Sequence, residues 1–275
     1  MHDILPPVAF AVFTWWIGTG LVFVAERAVR GHSTRALAVI AATAALSLYV
    51  IVLSGATRDA AGAYVGFAAS VGLWGALELS FLTGLATGPR REACSPDIGA
   101  LRRFGQAVLA LLYHELVLIA FGIVVAALCW DRPNPTAACT YTLLWVMRES
   151  AKLNLFLGVR NSAVELLPRR LAHLGSYFGR RKVNLLLPVS IVAATGADVA
   201  LVRHALAVTA SAQQNAGALL LATLLALAIL EHLVLVLPIP ADALWTWATR
   251  RERRRDAPAP PGDGRVATHS APAVS

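Results

Sequence analysis

Nine polar side chains sit inside stretches otherwise apolar enough to cross a membrane: Glu78, His114, Glu115, Arg148, Glu149, Lys152, Asn154, Glu231 and His232. An ionisable group at the bilayer centre costs about 3 kcal/mol unless it is paired or wetted, so these residues must face inward and find partners. Three chemistries fit the set. The first is a buried ion-pair network that fixes helix order. Glu149 lies three residues before Lys152 and can pair with it locally. Arg148 and Lys152, four apart, share a helix face with Tyr141 and Trp145. Arg148 then meets a carboxylate from another helix, Glu78, Glu115 or Glu231, and its planar fork can hold two. The second chemistry is a metal or tetrapyrrole site, because His and Glu stand side by side twice, at His114–Glu115 and Glu231–His232. With Glu78 they approach the ligand count of a carboxylate-bridged metal pair in a helical bundle. Neighbours on a helix point about 100° apart, however, and the Glu-x-x-His spacing is absent. A single His as axial ligand to a pigment magnesium is the simpler form. The third chemistry is a proton or ion relay, although inverted repeats and paired broken helices, the marks of many transporters, are missing.

The elements that must position these residues are membrane spans. Of 275 residues 57% are hydrophobic and only 15% charged, with a mean hydropathy of +0.63. Apolar stretches long enough to cross the hydrocarbon core occupy residues 5–25, 36–55, 61–86, 104–130, 139–157, 184–208 and 217–237. The fifth is interrupted by its own charges. His2 and Asp3 stand where a signal peptide would carry positive charge, so the first stretch reads as a span. The gaps alternate in charge. Nineteen basic residues, among them Arg27, Arg90, Arg91, Arg169, Arg181, Lys182 and Arg250–Arg255, fall on one side, and only Arg58, Arg132 and Arg203 on the other. Basic loops are cytoplasmic, which places the N-terminus outside and the C-terminus inside, and the alternation requires the fifth span. The fold class expected is therefore an all-α, polytopic bundle of about seven spans over residues 1–251. The net charge of +8 belongs to these loops and implies the bilayer, not nucleic acid, as partner.

With about 1.5 Å of rise per residue, the polar residues of four helices fall in one layer roughly 8 to 15 Å below the cytoplasmic surface. Residues 162–178 carry Val164, Leu167, Leu171 and Leu174 at helical spacing among basic residues, as an interfacial helix would. Residues 241–251 read as a Trp- and Arg-rich interfacial anchor, and 252–275 as a disordered basic, then Pro/Ala-rich tail. Gly62-x-x-x-Gly66 and Gly84-x-x-x-Gly88 permit close helix approach, for packing inside the bundle in preference to homodimerisation. Asp198 pairs locally, while Arg203 and His204 snorkel to the outer interface. Cys129 and Cys139 flank one outer gap, where a disulfide could form if that side is oxidising. Nucleotide-binding and C-x-x-C motifs are absent.

Several strings are distinctive. They are Phe13-Thr14-Trp15-Trp16-Ile17-Gly18-Thr19-Gly20, Trp74-Gly75 with Glu78-Leu79-Ser80-Phe81, Gly88-Pro89-Arg90, and Tyr113-His114-Glu115-Leu116. Leu230-Glu231-His232 is another, and the most specific is Met147-Arg148-Glu149-Ser150-Ala151-Lys152-Leu153-Asn154 continued through Gly158-Val159-Arg160-Asn161. Over residues 1–250 the chain resembles the photosynthetic complex assembly protein 2 family, also called PuhE. The resemblance implies a multi-pass protein of the bacterial inner membrane, cytoplasmic or intracytoplasmic. It implies a role in assembling reaction-centre and light-harvesting complexes and in modulating bacteriochlorophyll supply. The partners would be photosynthetic complex subunits or other assembly factors, and a bound group would be bacteriochlorophyll or a metal ion. A membrane-embedded metal- or tetrapyrrole-dependent enzyme and a small proton-coupled transporter are the alternatives. The resemblance assigns no catalytic residues.

Overall fold

The computed structural model describes residues 4–237, apart from 163, 165, 166, 180 and 208. The expected anchor at 241–251 and the tail lie outside the described residues. Seven long helices appear in order: α1 (Leu5–Val29), α2 (Ser33–Gly55), α3 (Ala60–Leu82), α4 (Ala100–Cys129), α5 (Thr136–Leu157), α6 (Leu186–Ala205) and α7 (Ala212–Val234). Among the described residues there is no β-strand. All but α5 are long and apolar enough to cross a membrane. α5 has the length, 22 residues, but its charges lower its hydropathy. Its place is nevertheless within the bundle, antiparallel to α4. Tyr141 donates to Leu118 O (2.7 Å), Lys152 meets Glu115, and Phe156 O accepts from Arg103 (3.1 Å).

α3 and α7 form the interior, each with 56% of its apolar span enclosed. Towards the end where α3 begins, Ala63 and Phe67 pack with Ala11 of α1 and with Ala216, Leu220 and Leu224 of α7. Further along, Leu73, Ala76 and Leu77 meet Ile40, Ala44 and Ile51 of α2, Leu118 and Val125 of α4, and Tyr141 of α5. Lipid is as apolar as Leu, so helix association here depends on close packing and hydrogen bonds more than on water exclusion. Gly62 and Gly66 serve the first purpose inside the protein. A Cβ on Gly62 would stand 1.6 Å from Thr57 Oγ1, and one on Gly66 would press on Ser54 and Ala137.

Two expected boundaries shift for identifiable reasons. α3 stops at Leu82 instead of running to 86, because Gly84 turns left-handed (φ +77°) and Ser80 O accepts the amides of Leu85 and Ala86. Gly84 and Gly88 therefore lie in a loop and not on a helix face. That loop docks on α4: the amide of His114 donates to Thr87 O (3.0 Å), and a Cβ on Gly88 would fall 2.1 Å from Leu109 O. α7 begins five residues before the expected 217, since Ser211 and Gln214 form a capping box. Its buried amides are paired, Gln213 with Pro133 O and Asn215 with Ala205 O.

Candidate functional site

α5 gathers the polar residues of four helices. Its Arg148 Nη2 donates to Glu78 Oε2 of α3 at 2.9 Å. One turn on, Lys152 Nζ lies between Glu115 Oε1 of α4 (2.5 Å) and its own neighbour Glu149 Oε1 (2.6 Å). Charge-assisted bonds of this length are the strong kind, and in a membrane interior each offsets the large cost of an unpaired charge. The two groups differ in setting. Lys152 and Glu115 are mostly enclosed, whereas the Arg148 side chain is 44% exposed beside a Glu78 that is 13% exposed. Glu231 of α7 is exposed and near enough for its charge to act on Arg148. Glu78 Oε1 is buried without a hydrogen-bond partner.

The paired His and Glu residues diverge, as adjacent positions on a helix must. Glu115 turns to Lys152, while the His114 ring lies against Phe81 with centroids 4.6 Å apart. Both ring nitrogens of His114 are buried and without a protein partner. His232 turns to the opposite side of α5, where its Nε2 is 2.9 Å from Ser150 Oγ and its Nδ1 is 2.9 Å from Ala228 O. Ser150 Oγ is also 3.0 Å from Ser190 Oγ, which joins α6 to the chain. Among the described residues no three His, Cys, Asp or Glu side chains gather as a metal requires. The set His114, Glu115, Glu231, His232 and Glu78 is thus divided among separate contacts. Both His residues are only 1% exposed.

Asn154 is wholly buried, but its role is architectural. Its Nδ2 donates to Ser150 O, and its main-chain carbonyl accepts from Asn184 Nδ2, whose Oδ1 in turn takes the amide of Leu187 at the start of α6. Gly158 ends α5 with φ +111°, and the chain returns so close that a Cβ there would lie 2.6 Å from Arg181 O. The amide of Asn161 then donates to Leu235 O just beyond α7. The distinctive 151–161 string is therefore largely a clasp for the basic end of the bundle.

A second ion-pair site escaped the sequence reading. Glu26 is 4% exposed and takes Arg30 Nη2 at 2.8 Å and Arg170 Nη2 at 2.7 Å, while Arg170 Nη1 donates to Thr83 O. The first span was expected to end at 25, which left Glu26 in a loop; the Glu26-x-x-x-Arg30 spacing was the available signal. Arg170 comes from the segment expected as an interfacial helix. Over Arg169–Tyr177 it is a 3-10 helix whose Leu171, Leu174 and Tyr177 pack on Phe81 and Ala110. Cys94, Cys129 and Cys139 are free thiols.

A family described as "Protein of unknown function (DUF3623)" matches residues 1–256. A Rhodobacter capsulatus protein named "Uncharacterized 30.4 kDa protein in puhA 5'region" is 37% identical over 228 residues, covering 80% of this chain and 82% of the relative. No solved structure matches.

Proposed function

The chain belongs to the DUF3623 family of proteins of unknown function, and from that premise we propose that it is a multi-pass assembly factor for photosynthetic complexes in the bacterial inner membrane. The observation that carries the reading is the 37% identical relative, whose name places it in the 5' region of puhA, a photosynthesis region. The strings that resemble the PuhE family point the same way. The geometry is compatible with a binding role. Its charged layer is largely closed into ion pairs, and its outer faces carry large apolar side chains such as Phe13, Leu46, Tyr49 and Ile123 for partners within the bilayer. Reaction-centre or light-harvesting subunits, or other assembly factors, are the partners proposed, with modulation of bacteriochlorophyll supply as part of the role.

Deleting the gene and recording near-infrared spectra of the membranes tests this. Reaction-centre and light-harvesting absorption should fall and return with the intact gene. Unchanged complexes in the deletion strain would overturn the proposal. Loss of total extractable bacteriochlorophyll ahead of complex loss would locate the defect in pigment supply.

A further inference from the structure

α5 and α6 touch little along their length, and a groove of about 310 Å³ lies between them. It is shallow and open on one side. Leu153, Leu186, Val146 and Trp145 make its walls largely apolar, and Glu149, Ser150 and Ser190 also line it. Ser150 is half-buried at this groove, whereas the His232 ring behind it is closed off. Proton accounting fixes their relation. A carbonyl only accepts, so the His232 Nδ1 that faces Ala228 O carries the ring's hydrogen. In the neutral ring Nε2 is then an acceptor, and the Ser150 hydroxyl donates to it across 2.9 Å. Ser190 gives its own hydrogen to Leu186 O (2.9 Å), so its Oγ is a second acceptor 3.0 Å from Ser150 Oγ. A hydroxyl open to an apolar groove, hydrogen-bonded to an imidazole whose far nitrogen is oriented by a fixed acceptor, is the arrangement of an activated nucleophile.

We propose that Ser150 and His232 form an acyl-transfer dyad that cleaves a carboxylic ester carried on an apolar chain bound in the α5–α6 groove. Ser150 Oγ adds to the ester carbonyl carbon as its proton passes to His232 Nε2. The acyl C–O bond then breaks, His232 returns the proton to the leaving alkoxide, and an alcohol departs. Water, giving its proton to the same Nε2, attacks the acyl-serine; the acyl–Oγ bond breaks, His232 returns that proton to Ser150 Oγ, and the carboxylic acid leaves. One ester and one water become one alcohol and one acid, with no change of oxidation state. Ser150 lies seven residues before the end of α5, about 10 Å along the helix, where the groove beside charged Glu149 and Lys152 can admit water. This chemistry is independent of the assembly role.

The test is labelling of the purified full-length protein in detergent with a long-chain alkyl fluorophosphonate, mapped by peptide mass spectrometry. An adduct on Ser150 of the folded protein is expected. Its absence, or an adduct elsewhere, overturns the dyad. His232→Gln should slow labelling at least about tenfold and also slow hydrolysis of a p-nitrophenyl dodecanoate probe. Labelling at the unchanged rate in a folded His232→Gln protein also overturns it. Should that variant fail to fold, the wild-type mapping decides alone.

Discussion

At the scale of single residues, the cost of a change depends on what is left behind. Arg148 neutralises Glu78, which has one oxygen buried without another partner. Arg148→Leu strands that carboxylate, and removing one partner of a buried pair is far more damaging than removing both. Arg148→Leu should therefore lower protein accumulation in the membrane and the photosynthetic complex level it supports, and Arg148→Leu with Glu78→Leu should recover accumulation. Immunoblots of membranes alongside near-infrared spectra measure both. If the single variant accumulates and functions fully, the pair has no role. Glu149→Gln should be milder, since Lys152 keeps Glu115. Glu26→Gln would loosen Arg170 from α1. Because Arg170 is 34% exposed, the expected loss is modest, about 1–3 kcal/mol, read as a lower melting temperature in detergent.

Among the elements, α5 has the most unusual composition and the most specific closure. Its end relies on the left-handed Gly158, with the returning chain packed against it. Gly158→Ala would meet both the φ penalty and the overlap with Arg181 O, for about 2–4 kcal/mol. Gly105 of α4 has nothing within 4 Å of a built Cβ. Gly105→Ala should be neutral or stabilise by up to about 1 kcal/mol. Comparing the two by thermal unfolding separates a glycine required by geometry from one that is not. An unaffected Gly158→Ala protein would show that the clasp is not formed as described.

For the whole molecule, the proposed orientation places the basic loops in the cytoplasm. A reporter fused after Arg255 should read as cytoplasmic, and one inserted near Arg132 as periplasmic. A periplasmic signal after Arg255 would remove α5 as a crossing helix. Its antiparallel course beside α4, from Tyr141–Leu118 to Phe156–Arg103, argues against that outcome.

Helix number and class were legible because hydropathy and loop charge are local, one-dimensional properties that the bilayer reads directly. Glu149 and Lys152, three apart on one helix, could likewise be paired on paper. The partner of Arg148 could not, since Glu78, Glu115 and Glu231 were equivalent at the resolution of helical depth. Which carboxylate faces it depends on the rotation of α3 and α4 about their axes, and packing sets that rotation. The same holds for His114 and His232. Each stands beside a Glu in the chain, yet one ring lies on Phe81 and the other reaches Ser150. Residues 83–86 read as helix because their composition is apolar; the left-handed Gly84 ends α3 there, and the hydrogen bond of His114 N to Thr87 O holds the loop on α4. Chain order could place His232 and Ser150 at a common depth, but bringing a hydroxyl on α5 to an imidazole on α7 beside an open groove took the tertiary arrangement of three helices.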